Sequence, residues 1–166
     1  MTVPTPVTPV DAEGAAITDH FEGTPAPMPA GFAAQLAATG ATVLDDDASR
    51  ADAARDWWPI AIGWAAEGAV PMRPAAVVRP ATTAQVASVL TLCNDARVPV
   101  TPIAGRSGVC GGSIPVHGGV ALDLTGLEGV VVLDETSLTV DVRAGTFGPD
   151  FEAALGGVGS GYTMGH

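Results

Sequence analysis

The sequence predicts an α+β fold, a small parallel strand–helix–strand unit plus antiparallel strands. Three observations carry that expectation. Residues 75–101 read as strand, helix, strand; residues 98–124 place a glycine-rich turn between two short apolar runs; residues 129–143 alternate like a hairpin. A helix bridging two strands makes them parallel, because a parallel pair needs a crossover connection.

The chain begins with residues 1–30, which hold six of its 14 prolines. Such a composition predicts a Pro-rich, extended and mobile leader. Residues 31–73 read as a helical N-terminal extension, and residues 74–166 as the patterned domain. In the extension, a helix is predicted from Gly31 to Ala38, with Phe32, Leu36 and Ala33 on one face. Asp45-Asp46-Asp47 reads as a solvated turn or a helix start. Asp52 to Trp58 reads as a helix stopped by Pro59, since the residue before proline disfavours the helical region. Trp57, Trp58 and Trp64 read as anchors holding this segment to the domain, with an aromatic wall beside a ligand as the alternative.

The patterned domain opens with a strand at Ala75–Arg79, closed by Pro80. Thr82 caps the next helix and Gln85 stands where a capping box needs it. Val86, Val89, Leu90, Cys93 and Ala96 mark its apolar face, and it ends near Arg97. A strand at Val98–Thr101 follows, then the glycine loop, then a strand over Val120–Leu124. Two further strands, Gly129–Leu133 and Leu138–Arg143, are joined by Asp134-Glu135-Thr136-Ser137. In the second, Leu138, Val140 and Val142 share a face. A last helix is predicted at Pro149–Leu155, with Phe151 and Leu155 on one side. The chain stops without a cap or charged tail, which suggests a fragment of a larger fold.

Composition narrows the function. The seven basic residues are all arginine, against 18 acids, for a net charge of −11. Residues 1–70 carry ten acids and two arginines; residues 71–166 carry eight and five. That balance is a poor match to a phosphate backbone, so no nucleic-acid binding is expected. No apolar run nears the roughly 18 residues of a membrane span. With no signal-like amino terminus, the expected location is cytoplasmic. Cys93 and Cys110 match no zinc spacing, so they read as reduced thiols and no metal site is expected.

The glycine loop carries the chemistry. It runs Pro102, Ile103, Ala104, Gly105, Arg106, Ser107, Gly108, Val109, Cys110, Gly111, Gly112. Glycines at 105, 108, 111 and 112 leave backbone N–H groups uncovered, and such donors can converge on an anion such as a pyrophosphate. The spacing G-x-x-G-x-x-G-G, leading into a strand, differs from the G-x-G-x-x-G of a Rossmann fingerprint. The absence of lysine excludes a P-loop. Arg106 reads equally as a fork for a phosphate or substrate carboxylate and as an exposed guanidinium. His117 reads as a solvent-facing loop residue, and His20 falls in the leader.

Taken together, these segments resemble the PCMH-type FAD-binding domain of the vanillyl-alcohol oxidase superfamily. The matching stretches are Arg79-Pro80-Ala81-Thr82-Thr83-Ala84-Gln85-Val86, Val98-Pro99-Val100, the loop Pro102–Gly112, Gly119-Val120-Ala121-Leu122-Asp123-Leu124 and Leu138-Thr139-Val140-Asp141-Val142-Arg143-Ala144-Gly145. Within the superfamily the chain looks like the glycolate and D-lactate dehydrogenases and alkylglycerone-phosphate synthase. Gly161-Tyr162-Thr163-Met164-Gly165-His166 and Asp56-Trp57-Trp58-Pro59 are similar to the synthase group.

The resemblance implies that residues Pro102 to Gly108 wrap an FAD pyrophosphate, with Gly105, Ser107 and Gly108 as donors. Gly111 and Gly112 would pass the isoalloxazine side. Cys110 stands where some relatives attach FAD to a histidine, which implies non-covalent FAD, a thioether through Cys110 being the alternative. Relatives continue past this point with a second pyrophosphate loop, so His166 could lie near the cofactor. The implied function is an FAD-dependent oxidoreductase acting on a 2-hydroxy acid such as glycolate or D-lactate, or a synthase-like transferase. The partner implied is a small-molecule substrate, with a homodimer in the full-length form. No catalytic residue is assigned, because relatives supply their base from a later domain. The fragment alone is expected to be inactive. A rival reading is a non-catalytic module or assembly partner whose glycine loop is purely structural.

Overall fold

The computed structural model describes residues 16–17, 21, 24–157 and 161–164. His20 and His166, both weighed in the sequence, lie outside the described residues.

Four strands form the central sheet. β2 (Thr42–Leu44), β4 (Ala76–Arg79), β6 (Val120–Asp123) and β5 (Val100–Ile103) lie in the order β2-β4-β6-β5. β4 and β5 run in the same direction, as their helical crossover requires, but β6 lies between them and pairs in parallel with both. β2 runs antiparallel on the outer edge of β4. Nothing in its three residues, Thr-Val-Leu, marks a strand without the partner.

β5 starts two residues later than the apolar run suggested. The reason is the helix before it. α4 (Thr83–Ala96) ends on Arg97 in the left-handed region at φ 54°, and the Val98 N–H turns back to the Cys93 carbonyl at 2.8 Å. Val98 therefore closes a helix rather than opening a strand. At the other end, Thr82 Oγ1 accepts from the Gln85 N–H at 3.2 Å, and Gln85 Oε1 accepts from the Ala81 N–H at 2.7 Å. That is a capping box displaced by one residue on its return arm.

Each face of the sheet has its own core. On one side Val78, Val120 and Leu122 pack with Val89 and Cys93 of α4 and with Phe32 and Leu36 of α1 (Phe32–Ala38). Leu90, read as part of that face, is 44% exposed. The buried stripe is 89 and 93, flanked by half-buried 86 and 96. On the other side Val77, Ala121 and Ile103 pack with Ala53, which follows α2 (Asp47–Asp52). Alternation along β4 sends Val77 and Val78 to opposite faces.

The segment between α1 and β4 departs most from the sequence reading. The helix expected at Asp52–Trp58 is absent. α2 starts five residues earlier, because Asp46 caps it by accepting the Ser49 N–H at 2.9 Å. Residues 53–58 are irregular, and Pro59 begins α3 (Pro59–Ala66) instead of ending a helix. Proline at the first helical position loses no hydrogen bond, so the pre-proline boundary was correct and the helix lay on its other side. β3 (Ala69–Val70) follows and pairs in parallel with β1 (Ala16–Ile17). Further along, Ala26 bridges to Gly118 and donates to the His117 carbonyl at 2.9 Å.

After β6 a 3₁₀ turn (Leu124–Gly126) leads to the hairpin of β7 (Val130–Asp134) and β8 (Thr139–Val142). Ser137 and the Thr136 and Ser137 amides hydrogen-bond Asp134 and hold its carboxyl below the usual range. β8 spans only Thr139–Val142; Leu138, read as sharing its face with Val140 and Val142, precedes the strand at φ 54° and is 73% exposed, and Val142 is 42% exposed. α5 (Gly148–Gly157) buries Phe151 and Leu155, as its spacing predicted.

Gly119 makes the entrance to β6. It has φ +70°, and a Cβ there would stand 2.2 Å from the Pro99 carbonyl oxygen, which accepts the Val120 N–H at 2.8 Å. Gly119→Ala combines left-handed strain with a backbone clash and should cost about 2–4 kcal/mol in chemical denaturation. Thr82→Ala removes one cap and should cost about 1 kcal/mol in the same measurement.

Candidate functional site

The carboxyl ends of β4, β5 and β6 open on one side of the sheet, where ligands of parallel sheets gather. The glycine loop leaves β5 there. Pro102 and Ile103 belong to β5 itself: Ile103 is buried in the second core, and Pro102 has no N–H to offer. The loop proper runs from Ala104 to Gly112. Gly108, Val109, Cys110 and Gly112 are exposed along it.

Its hydrogen bonding is one-sided. Among the described residues, no N–H of residues 105–112 donates to another protein group. Two loop carbonyls do accept: Gly108 from the Trp57 N–H at 2.9 Å, and Gly111 from the Ile114 N–H at 3.0 Å. Buried backbone donors are almost always paired, so a run of unpaired ones belongs where water or a ligand can reach it. Uncovered backbone donors of this kind are available to an anion.

The glycines serve two purposes. A Cβ on Gly105 would lie 3.1 Å from the Phe147 ring, and one on Gly111 would lie 2.9 Å from the Trp58 ring. A Cβ on Gly108 would point at Asp56 Oδ2, 3.5 Å away. Gly105 and Gly111 let the loop lie close to its protein wall, whereas a Cβ on Gly108 would make only ordinary contact. Gly112 is different, because a Cβ there would meet nothing within 4 Å.

Arg106 fits neither of its two sequence readings. It is 7% exposed, so it is no solvated guanidinium, and its fork is occupied within the protein. Nη2 donates to Asp52 Oδ2 at 2.8 Å and Nη1 donates to the Asp52 carbonyl. The other oxygen of the same carboxylate accepts from Arg55 Nη2 at 2.9 Å. Arg55 is 3% exposed, and its Nε and Nη1 find no partner among the described residues. Burial lowers the Arg55 pKa, and Asp52 opposes that shift. Asp56, 1% exposed, accepts from the Trp58 N–H through Oδ1, while Oδ2 has no partner among the described residues.

Beside the loop, Arg79 Nε and Nη2 donate to Asp123 Oδ2 at 2.8 and 2.7 Å. Asp123 Oδ1 accepts from the Thr125 N–H and hydroxyl at 3.0 and 2.6 Å. Together with Asp52 and Arg106, these residues line a cavity of about 110 Å³ at the strand ends. Sequence reasoning missed Asp52 and the Arg79–Asp123 pair. The available signal for Asp52 was its i,i+3 spacing to Arg55, while residues 79 and 123 are joined only by the fold.

Trp58 and Trp64 stack edge to face at 5.6 Å, and Phe21 adds to the group at 6.3 Å from Trp64. Trp58 also backs the loop at Gly111. Cys110 is exposed, whereas Cys93 is buried and its thiol pKa is pushed up by desolvation. His117 is exposed, as read. No helix among the described residues is long and apolar enough to cross a membrane.

These features fit a dinucleotide. A diphosphate needs several converging donors, and the loop presents unclaimed ones beside an open glycine. Comparisons agree. The FAD binding domain family matches residues 74–165. A D-lactate dehydrogenase of Anaerostipes hadrus is 36% identical over 73 residues, 44% of this chain and 15% of that protein. The glycolate oxidase subunit GlcD of Bacillus subtilis is 33% identical over 82 residues, 49% of this chain and 17% of that protein. Among solved structures, an alkyldihydroxyacetonephosphate synthase aligns with TM-score 0.73 and 22% identity over 87% of this chain and 29% of that one. p-Cresol methylhydroxylase aligns with TM-score 0.65 and 21% identity over 81% of this chain and 26% of that one. The chain thus spans about a sixth of the length of these curated relatives and under a third of these solved structures. With more than half of its residues matched, the chain belongs to the FAD binding domain family, in its PCMH-type fold, and FAD is its cofactor.

Proposed function

We propose that the loop following β5 holds the FAD diphosphate and that the complete protein oxidises a 2-hydroxy acid. One observation carries the site: among the described residues, the N–H groups of residues 105–112 have no protein acceptor, at the carboxyl end of a parallel sheet. Residues 107–110 and 112 are exposed, so their donors are open to a ligand's oxygens. The donors assigned are Gly105 through Gly112, with the Ser107 hydroxyl in addition; Pro102, Ile103 and Ala104 deliver the loop from β5. FAD, when bound, supplies the two-electron acceptor. The protein's share is to hold it, orient it and keep water from its reactive face.

The electrostatics of the wall favour binding through dipoles. Asp52 and Asp56 oppose Arg55 and Arg106 in equal number, so the buried charges nearly cancel. Attraction for a diphosphate then comes from the backbone amides. No covalent step is assigned to Cys110, and FAD is held non-covalently in this reading.

The substrate class rests on the curated relatives. Those at 33–36% identity include a D-lactate dehydrogenase, a glycolate oxidase subunit and a protein of rice described as a probable D-2-hydroxyglutarate dehydrogenase. The synthase likeness is one of fold. The complete protein should bleach its flavin when given a D-2-hydroxy acid anaerobically. Failure with D-lactate, glycolate and D-2-hydroxyglutarate, alongside activity in alcohol exchange on an acylglycerone phosphate, would move it to the synthase class.

Gly112→Val tests the site itself. The new side chain enters open space, so the fold should hold while bound flavin is lost, read as visible absorbance of the purified protein. Stoichiometric flavin in this variant would contradict the loop assignment.

A further inference from the structure

We infer that residues 47–58, which precede the family match at residue 74, are a positioning element of the cofactor loop, with Asp52 as the positioning residue. The inference rests on the reading that residues 105–112 hold the FAD diphosphate.

Three loop positions are gripped from this one segment. Arg106 is bound by the side chain and carbonyl of Asp52. Gly108 offers its carbonyl to the Trp57 N–H at 2.9 Å. Gly111 lies on the Trp58 ring, so close that a Cβ would reach 2.9 Å. Each grip uses a loop side chain, a loop carbonyl or a bare Cα. None uses a loop N–H. The segment fixes the loop's shape while leaving every donor for a ligand.

Arg106 shows that the grip works against a cost. Its φ is +52°, a region that non-glycine residues enter at an expense of about 1–3 kcal/mol unless the surroundings hold them there. The surroundings here are Asp52, itself at the end of α2 and joined to the buried Arg55. Ala53, the next residue, packs into the second core with Val77, Ile103 and Ala121. The clamp is thus tied to the sheet that carries the loop. Without it, ordering the loop falls to the cofactor, and each newly immobilised group weakens binding.

The experiment measures the FAD dissociation constant of apo-protein expressed from its complete reading frame. Wild type, Asp52→Ala, Arg106→Gly, the double variant and Gly112→Val are compared by flavin fluorescence quenching, with thermal unfolding of each apo-protein in parallel. Asp52→Ala should weaken FAD about tenfold through the lost ordering of two groups. The double variant should be no weaker than the worse single, because both changes cut one link. A role in stability alone would lower the unfolding temperature without this coupling in affinity. Arg106→Gly keeps the left-handed backbone and gives the same readout if Asp52→Ala does not fold. Wild-type affinity in Asp52→Ala or in Arg106→Gly, or additive losses in the double, would overturn the inference. Retained FAD in Asp52→Ala with lost FAD in Gly112→Val would sink the clamp and leave the loop reading intact; retained FAD in both would sink the loop reading.

Discussion

A loop that keeps its backbone donors free must be held by everything else it has. That constraint organises this end of the molecule. The amides of residues 105–112 make no bond to described protein groups, so the loop's shape comes from acceptors, side chains and close packing. The Gly108 and Gly111 carbonyls, the Arg106 guanidinium and the bare faces of Gly105 and Gly111 all turn toward the protein. The donors are left over, as the proposed diphosphate site requires.

The second face of the sheet makes this support possible. α1 and α4 cover the first face and build the larger core from Phe32, Leu36, Val89 and Cys93. The opposite face is covered by Ala53, a small residue that lets α2 approach closely enough for Asp52 to meet Arg106. Burying Arg55, Asp56 and Arg106 is tolerable because the charges compensate. Removing one partner would strand another in a site with little solvent.

Much of the fold was legible because its elements carry local signals. Thr82 and Gln85 announced α4, and Val86, Val89 and Cys93 gave its face. Phe151 and Leu155 did the same for α5. The family resemblance was legible from the order of several segments, none sufficient alone. The misreadings share a physical origin: they lie where local rules admit two answers. Pro59 can end a helix or start one. Val98 can open a strand or close a helix terminus, and the choice depends on Arg97 adopting φ 54°. β2 exists only because the edge of β4 offers it hydrogen bonds.

The site was partly legible in the same sense. The glycines placed the loop, but their roles depend on what stands opposite: Phe147, Asp56 and Trp58 against three of them, open space against Gly112. Arg106 was unreadable because its partner lies 54 residues away in sequence. Charge type alone cannot distinguish a ligand fork from a structural tie.

Hydrogen–deuterium exchange of the amides at residues 105–112, measured in the complete protein without and with FAD, addresses the central claim most directly. The account predicts fast exchange in the apo-protein and strong protection once FAD is bound, with α4 unchanged. Amides already protected without FAD, or equally fast with it, would contradict the account.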